Sequence, residues 1–156
     1  MCANQRQRLT RTLCKPVHDS WDGKIYVTDR VAKQVIVMRK DLGMRKGKMI
    51  AQGAHAAMAV LLEHARASET ELVIPLDGPA NQWLVSGRFT KVCVSVDTEA
   101  ALDDVVARAK AAGVPCALIV DAGKTEFHGV ATKTCCSVGP AWAEDVDTIT
   151  GSLPLL

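Results

Sequence analysis

Lys48, Gln52 and His55 stand at positions i, i+4 and i+7. At 3.6 residues per turn that spacing sets three side chains along one face of an α-helix. An ammonium, an amide and an imidazole on one face are groups that can hold an anion and handle a proton. The chain before them is crowded with positive charge, in Arg39, Lys40, Arg45 and Lys46. The free N–H groups and the dipole at a helix start favour an anion at the same place. The stretch is no nucleotide-binding P-loop, because Met49 follows Lys48 where that motif has Ser or Thr. Nor does it carry the glycine fingerprint of dinucleotide binding. A plainer reading stands beside this one. Basic residues ahead of a helix form a solvated face, and His55, among Gly53, Ala54, Ala56 and Ala57, is equally a packed helix residue.

A second group lies far along the chain: Asp121, Gly123, Lys124 and Thr125, followed by Thr134. A carboxylate can orient or deprotonate water, and threonine hydroxyls can hold water or an ester by hydrogen bonds. Taken singly, Asp121-Ala122-Gly123 also reads as a turn, and Thr134 as a β-branched strand residue.

These groups must be positioned by regular elements, and the hydrophobic pattern supplies them. Residues 33–39 form an apolar run expected of a strand buried on both faces. A helix is predicted over 47–66, with Met49, Ala51, Ala54, Met58, Leu61, Leu62 and Ala65 facing the core. A polar connection leads to a short helix over 79–86 that brings in Trp83 as a packing anchor. A second strand over 90–96 precedes a helix capped by Asp97 or Thr98 and ended by Gly113. A third strand covers 116–120 and a fourth 133–138, with Gly139-Pro140 opening a last helix to about position 147. Helical links make the first three strands parallel, and the loop after Val120 is too short for a crossover helix, so the fourth runs antiparallel. The expected fold is an α/β domain of three layers, a mixed four-stranded β-sheet flanked by helices on both faces. Ligand crevices in such sheets lie outside the carboxyl ends of the parallel strands. The loops after Arg39 and Val120 then emerge at one edge and bring Lys48, Asp121 and Thr125 together.

The 156 residues suit one folded domain, expected over 33–156, with residues 1–32 as a flexible basic arm. The net charge is only +2, but the chain through Lys48 carries +8 and the remainder −6. That asymmetry points the front of the domain at a polyanion. Six cysteines without a C-x-x-C pair or a signal peptide are read as reduced thiols in a cytoplasmic protein. No metal-ligand spacing is evident among the four histidines, and no apolar run is long enough to cross a bilayer.

Arg39, Asp41-Leu42, Met44, Gly47-Lys48, Ala51-Gln52 and His55-Ala56 together resemble the signature of the second, archaeal and eukaryotic type of peptidyl-tRNA hydrolase. Asp121 to Thr125 is similar to that family's Asp-Ala-Gly-x-Thr, Thr134 to its threonine before a Gly-Pro, and Asp147 to Leu153 to its C-terminal run. The run from Thr125 to Gly129 is similar to the family's bacterial branch. The resemblance implies hydrolysis of the ester joining a peptide to tRNA, which recycles tRNA from drop-off peptidyl-tRNA. It also implies the mixed four-stranded sheet, a homodimer, and no metal or cofactor. Lys48, Asp121, Thr125 and Thr134 are its implied active-site residues. The expected mechanism is direct attack by water, with Gln52 and His55 in support and Arg39, Lys40, Arg45, Lys46 and Lys124 meeting the tRNA. Lys124 departs from the arginine of many members and so lacks the bidentate fork. Two other classes remain: a non-catalytic tRNA-binding module on the same fold, and a hydrolase of another acyl ester through Cys135 or Cys136. The second lacks an evident base to activate the thiol.

Overall fold

A computed structural model describes residues 30–85 and 88–156. The expected basic arm therefore lies outside the described residues up to position 29. The residues just after it already belong to the folded body. Arg30 pairs with Glu144, and the Ala143 N–H donates to the Val31 carbonyl at 2.8 Å.

The first strand, β1 (Ala32–Arg39), leads to α1 (Lys46–Leu62), a small hairpin of β2 (Arg66–Ala67) and β3 (Leu72–Val73), and α2 (Gly78–Val85). Then come β4 (Lys91–Val96), α3 (Glu99–Ala111), β5 (Cys116–Asp121), β6 (Thr132–Trp142) and α4 (Ala143–Thr150). The main sheet has the order β4-β1-β6-β5. β1 and β4 are parallel, while β6 runs antiparallel to both β1 and β5. Three strands thus share one direction and the fourth opposes them, the arrangement expected from the connections.

Alternate residues of β1 feed two cores, as the period of two in a strand requires. Val35 and Val37 face Leu102, Val105 and Ala109 of α3 and Val146 and Ile149 of α4. Ile36 and Met38 face Met44, Ala56 and Cys135 on the α1 side. The molecule is the expected three-layer α/β domain. Trp83, on α2, is buried and donates its indole N–H to the Thr90 carbonyl at 2.9 Å. Thr98 caps α3 by accepting from the Ala101 N–H at 3.1 Å.

Three elements differ from expectation. α1 stops at Leu62, not 66, because the chain turns into the β2–β3 hairpin, where the Ser68 hydroxyl accepts from the Glu71 N–H at 3.2 Å. Its buried stripe is Gln52, Ala56 and Val60, while Met58 and Leu62, expected inside, are 51% and 40% exposed. Small residues surround this helix on most sides, so apolarity alone leaves its rotation undetermined. Gly53 lies on the sheet side, where a Cβ would come into ordinary contact with the Ile36 side chain at 3.7 Å. Finally, Gly139-Pro140 does not open the last helix; β6 continues through it to Trp142. A register shift between Lys33 and Val35 leaves Gly139 and Pro140 together opposite Gln34. Such a bulge removes the need for a ladder N–H at proline. Gly139 has φ 85°, and a Cβ on it would meet the Lys33 carbonyl oxygen at 2.5 Å. The end of the chain covers the outer edge of β4, with Ser95 N–H donating to Pro154 and Leu156 N–H to Cys93.

Candidate active site

β1 and β5 end side by side in space, separated only by β6, and their following segments carry the cluster. From α1 the Lys48 ammonium donates to Asp121 Oδ2 at 2.6 Å and to Thr125 Oγ1 at 3.1 Å. Gln52, one turn later on the same face, donates from Nε2 to the same Asp121 oxygen at 2.9 Å. Its Oε1 accepts from the Thr134 hydroxyl on β6 at 2.7 Å. The Gln52 carbonyl accepts from the Cys135 thiol at 3.3 Å. The result is a continuous chain of hydrogen bonds from the buried sheet to the surface loop: Thr134, Gln52, Asp121, Lys48, Thr125.

Burial grades along this chain. Thr134 is fully buried and Gln52 is 2% exposed. The Lys48 and Asp121 side chains are 12% and 14% exposed, and Thr125 is open to solvent. Asp121 Oδ1 accepts from the Gly123 N–H at 2.9 Å, closing an Asx turn. The Lys48 ammonium, then the Gly123 N–H, hold the Asp121 carboxyl below the usual carboxylate range against the opposing effect of burial. A carboxylate so held is a weak base near neutrality, better suited to orienting water than to taking its proton. The ion pair is desolvated enough to be fixed in place, yet open enough on the Thr125 side for a substrate.

The other residues singled out in the sequence divide into two groups. Lys40, Arg45, Lys46 and Lys124 are exposed, before or beside the cluster. Arg39 is not with them. It is 8% exposed, pairs bidentately with Asp41 at 3.2 and 2.7 Å, and reaches Glu99 at 2.8 Å. A fourth donation, to the Lys133 carbonyl at 3.0 Å, ties the end of β1 to β6. These contacts make Arg39 a clamp at the end of β1, with Asp41 two positions away in the sequence and Glu99 brought to it from α3. His55 is exposed and makes no hydrogen bond to the cluster, although Lys48 and Gln52 on its face both do. Cys135 and Cys136 are fully buried. Burial pushes the Cys135 thiol up to about 11, and contact with Cys116, then burial, raises that of Cys136. Neither has the exposure or the thiolate character of a nucleophile.

Sequence reasoning passed over Glu126 and Phe127. Glu126 accepts from Arg45 Nε at 2.8 Å, and the Phe127 ring centroid lies 5.6 Å from the Lys48 ammonium. Both follow Thr125 directly, but their partners are about eighty positions away in sequence. Among the described residues no group of three His, Cys, Asp or Glu is placed to hold a metal ion. No helix among them is long and apolar enough to cross a membrane.

Fold and cluster together define an α/β domain that gathers a lysine, a carboxylate and hydroxyls at the strand ends of a mixed sheet. The family model for peptidyl-tRNA hydrolase PTH2 matches residues 32–156. A peptidyl-tRNA hydrolase of Methanocaldococcus jannaschii is 40% identical over 124 residues, covering 80% of this chain and 99% of that protein. The peptidyl-tRNA hydrolase of Methanopyrus kandleri is 40% identical over 124 residues, with 80% and 97% covered. That of Saccharolobus solfataricus is 40% identical over 127 residues, with 80% and 98% covered. The chain belongs to the peptidyl-tRNA hydrolase PTH2 family. A solved structure of a protein of unknown function from Agrobacterium tumefaciens strain C58 shares the fold, with TM-score 0.51 and 13% identity over 80% of this chain and 97% of that one.

Proposed function

We propose that this chain hydrolyses the ester between peptide and tRNA with Lys48, Asp121 and Thr125 as catalytic residues and Gln52 and Thr134 as positioning residues. The observation that carries the proposal is the Lys48 ammonium, bound at 2.6 Å to Asp121 and at 3.1 Å to the exposed Thr125 hydroxyl. Lys48 has three N–H donors and spends two of them there. The third stabilises the oxyanion that develops when water attacks the ester carbonyl. Asp121 orients that water, and Thr125, whose oxygen accepts from Lys48, donates its own O–H to the ester or to the water. The bond from the carbonyl carbon to the ribose oxygen breaks. One proton of the water ends on that oxygen, and the other is lost from the peptide acid to solvent. No acyl-enzyme forms. Thr134 is too deeply buried to meet substrate and acts by fixing the Gln52 amide. His55 stands at the margin of the site. The exposed Lys40, Arg45, Lys46 and Lys124 meet tRNA phosphates, and Arg39 leaves that set for a structural role.

The same reading extends to finer points. The Thr125–Gly129 run supports membership of the bacterial branch. The outward apolar row of Ile50, Met58 and Leu62 on α1, 73%, 51% and 40% exposed, supports a homodimer. Exposed Cys93, free of any disulfide, supports a cytoplasmic location. The hydrolase domain takes in β1 from its first residue, Ala32, and the two residues before it, Arg30 and Val31, are bound to it.

The test is release of an N-acetylated amino acid from N-acetyl-aminoacyl-tRNA. Lys48→Ala and Asp121→Asn are each expected to lower kcat by about 10²–10³ while the protein stays folded by circular dichroism. Full activity in either variant refutes these roles. Binding of the tRNA without any release by the unaltered protein would favour the non-catalytic module. Loss of turnover on thiol alkylation would favour the cysteine hydrolase.

A further inference from the structure

The loop after β5 touches α1 through more than the catalytic pair. The Glu126 side chain is 15% exposed and reaches back to Arg45, the residue that precedes α1. Oε1 accepts from Arg45 Nε at 2.8 Å, and Oε2 accepts from the Arg45 backbone N–H at 3.3 Å. α1 has no side-chain cap of its own and no acidic residue in its first turn. Glu126 therefore supplies, from a remote loop, the negative charge that a helix start favours. The residues on either side of it both meet Lys48: Thr125 at 3.1 Å and the Phe127 ring at 5.6 Å. The loop is also internally closed. Gly129 N–H donates to Gly123 at 3.0 Å and Val130 N–H to Phe127 at 2.8 Å. It is held to α1 by Asp121 at its root and by Glu126 near its middle.

We propose that Glu126 is a positioning residue for ester hydrolysis, a latch that holds Thr125 and Phe127 against Lys48 by binding Arg45 through both carboxylate oxygens. The proposal rests on the reading of Lys48 as a catalytic residue. When the latch is absent, Lys48 keeps Asp121 but loses the fixed Thr125 hydroxyl and the ring beside it. Arg45 is at the same time released, and an unpaired guanidinium is added to the face that meets tRNA. Loss of the latch thus harms the chemical step while favouring tRNA binding. A merely structural role does not separate the two.

The experiment measures kcat and KM on N-acetyl-aminoacyl-tRNA for Glu126→Ala, Glu126→Gln, Arg45→Ala and the double variant, with Lys48→Ala alongside. Glu126→Ala is expected to lower kcat roughly ten- to a hundredfold, the scale of a misplaced catalytic group, with KM unchanged or lower. Glu126→Gln keeps one carbonyl acceptor for Arg45 and regains part of kcat. Arg45→Ala lowers kcat but raises KM. The double variant has a kcat no lower than the worse single, because both remove one contact. Wild-type kcat in Glu126→Ala overturns the latch, as do multiplying effects in the double variant. So does a fall in kcat with a rise in KM and in step with a lower Tm. If Glu126→Ala does not fold, Glu126→Gln and Arg45→Ala decide by the same split. Should Lys48→Ala stay active, the reading of the site fails; should it be inactive while Glu126→Ala is unimpaired, only the latch fails.

Discussion

At the scale of single residues, Asp121 sets the acid limit of the site. Its folded pKa is depressed by Lys48 and the Gly123 N–H. For a depressed carboxylate the sign runs one way. Its contribution to stability is whole above the unfolded value of about 3.9, and is lost as pH falls through the lower folded value. Asp121 is therefore expected to add no acid limb to kcat/KM between neutrality and about pH 4. In Lys48→Met that limb moves up toward the ordinary carboxylate range, and the measurement is kcat/KM or, where turnover is lost, the Asp121 carboxyl NMR titration. A limb near pH 6 that belongs to Asp121 in the unaltered protein would contradict the geometry. That Lys48, Asp121 and Thr125 lie together was legible in the sequence because the segments after two parallel strands emerge at one edge of the sheet. Arg39 was not. Its type and place match those of a phosphate-binding cation; Asp41 stands two positions on, and the fold adds Glu99 from α3.

At the scale of elements, the loop from β5 to β6 depends on one glycine. Gly123 has φ 79°, and a Cβ on it would lie 2.4 Å from the Val130 carbonyl oxygen. Gly123→Ala is expected to open the loop, displace Thr125 and Glu126 together, and reduce kcat about a hundredfold or more. The sheet lies outside this contact, so the far-ultraviolet circular dichroism spectrum stays that of the unaltered protein. The strands themselves were readable: β1, β4 and β5 are apolar runs bounded by glycine, proline or charge, and the links between them dictate direction. The rotation of α1 was not readable, because alanine and glycine blur its faces and a polar residue, Gln52, is buried. The full length of β6 was hidden for a different reason. A Gly-Pro pair ordinarily ends a strand, and only the bulge opposite Gln34 lets it continue.

At the scale of the whole molecule, the positive charge crowded into the front of the chain is largely spent on folding. Of seven Lys and Arg between positions 30 and 48, six are ion-paired: Arg30, Lys33, Arg39, Lys40, Arg45 and Lys48. Lys46 has no ion pair among the described residues, and neither does Lys124 in the loop from β5 to β6. The attraction for tRNA is then carried by few phosphate contacts. Affinity is expected to fall with salt on a shallow slope, and Lys46→Ala and Lys124→Ala each to lower that slope by about one. Arg39→Ala instead lowers Tm and leaves the slope unchanged; filter binding at graded ionic strength and thermal melts separate the two effects. The sequence charge pattern does not show that most of these cations already hold an acid of the same chain.

The central place of β6 has a consequence for how the protein is made. It is the last strand to leave the ribosome, yet it lies between β1 and β5 and bonds to both. Until it emerges, those two strands have no common partner, and the sheet cannot grow by accretion from the N-terminus as synthesis proceeds. Thr134, which holds Gln52 and through it Asp121, arrives with that strand. A nascent copy of this chain that stops before β6 thus lacks the strand that joins β1 to β5 and carries Thr134. The enzyme comes into being only once that strand has been made.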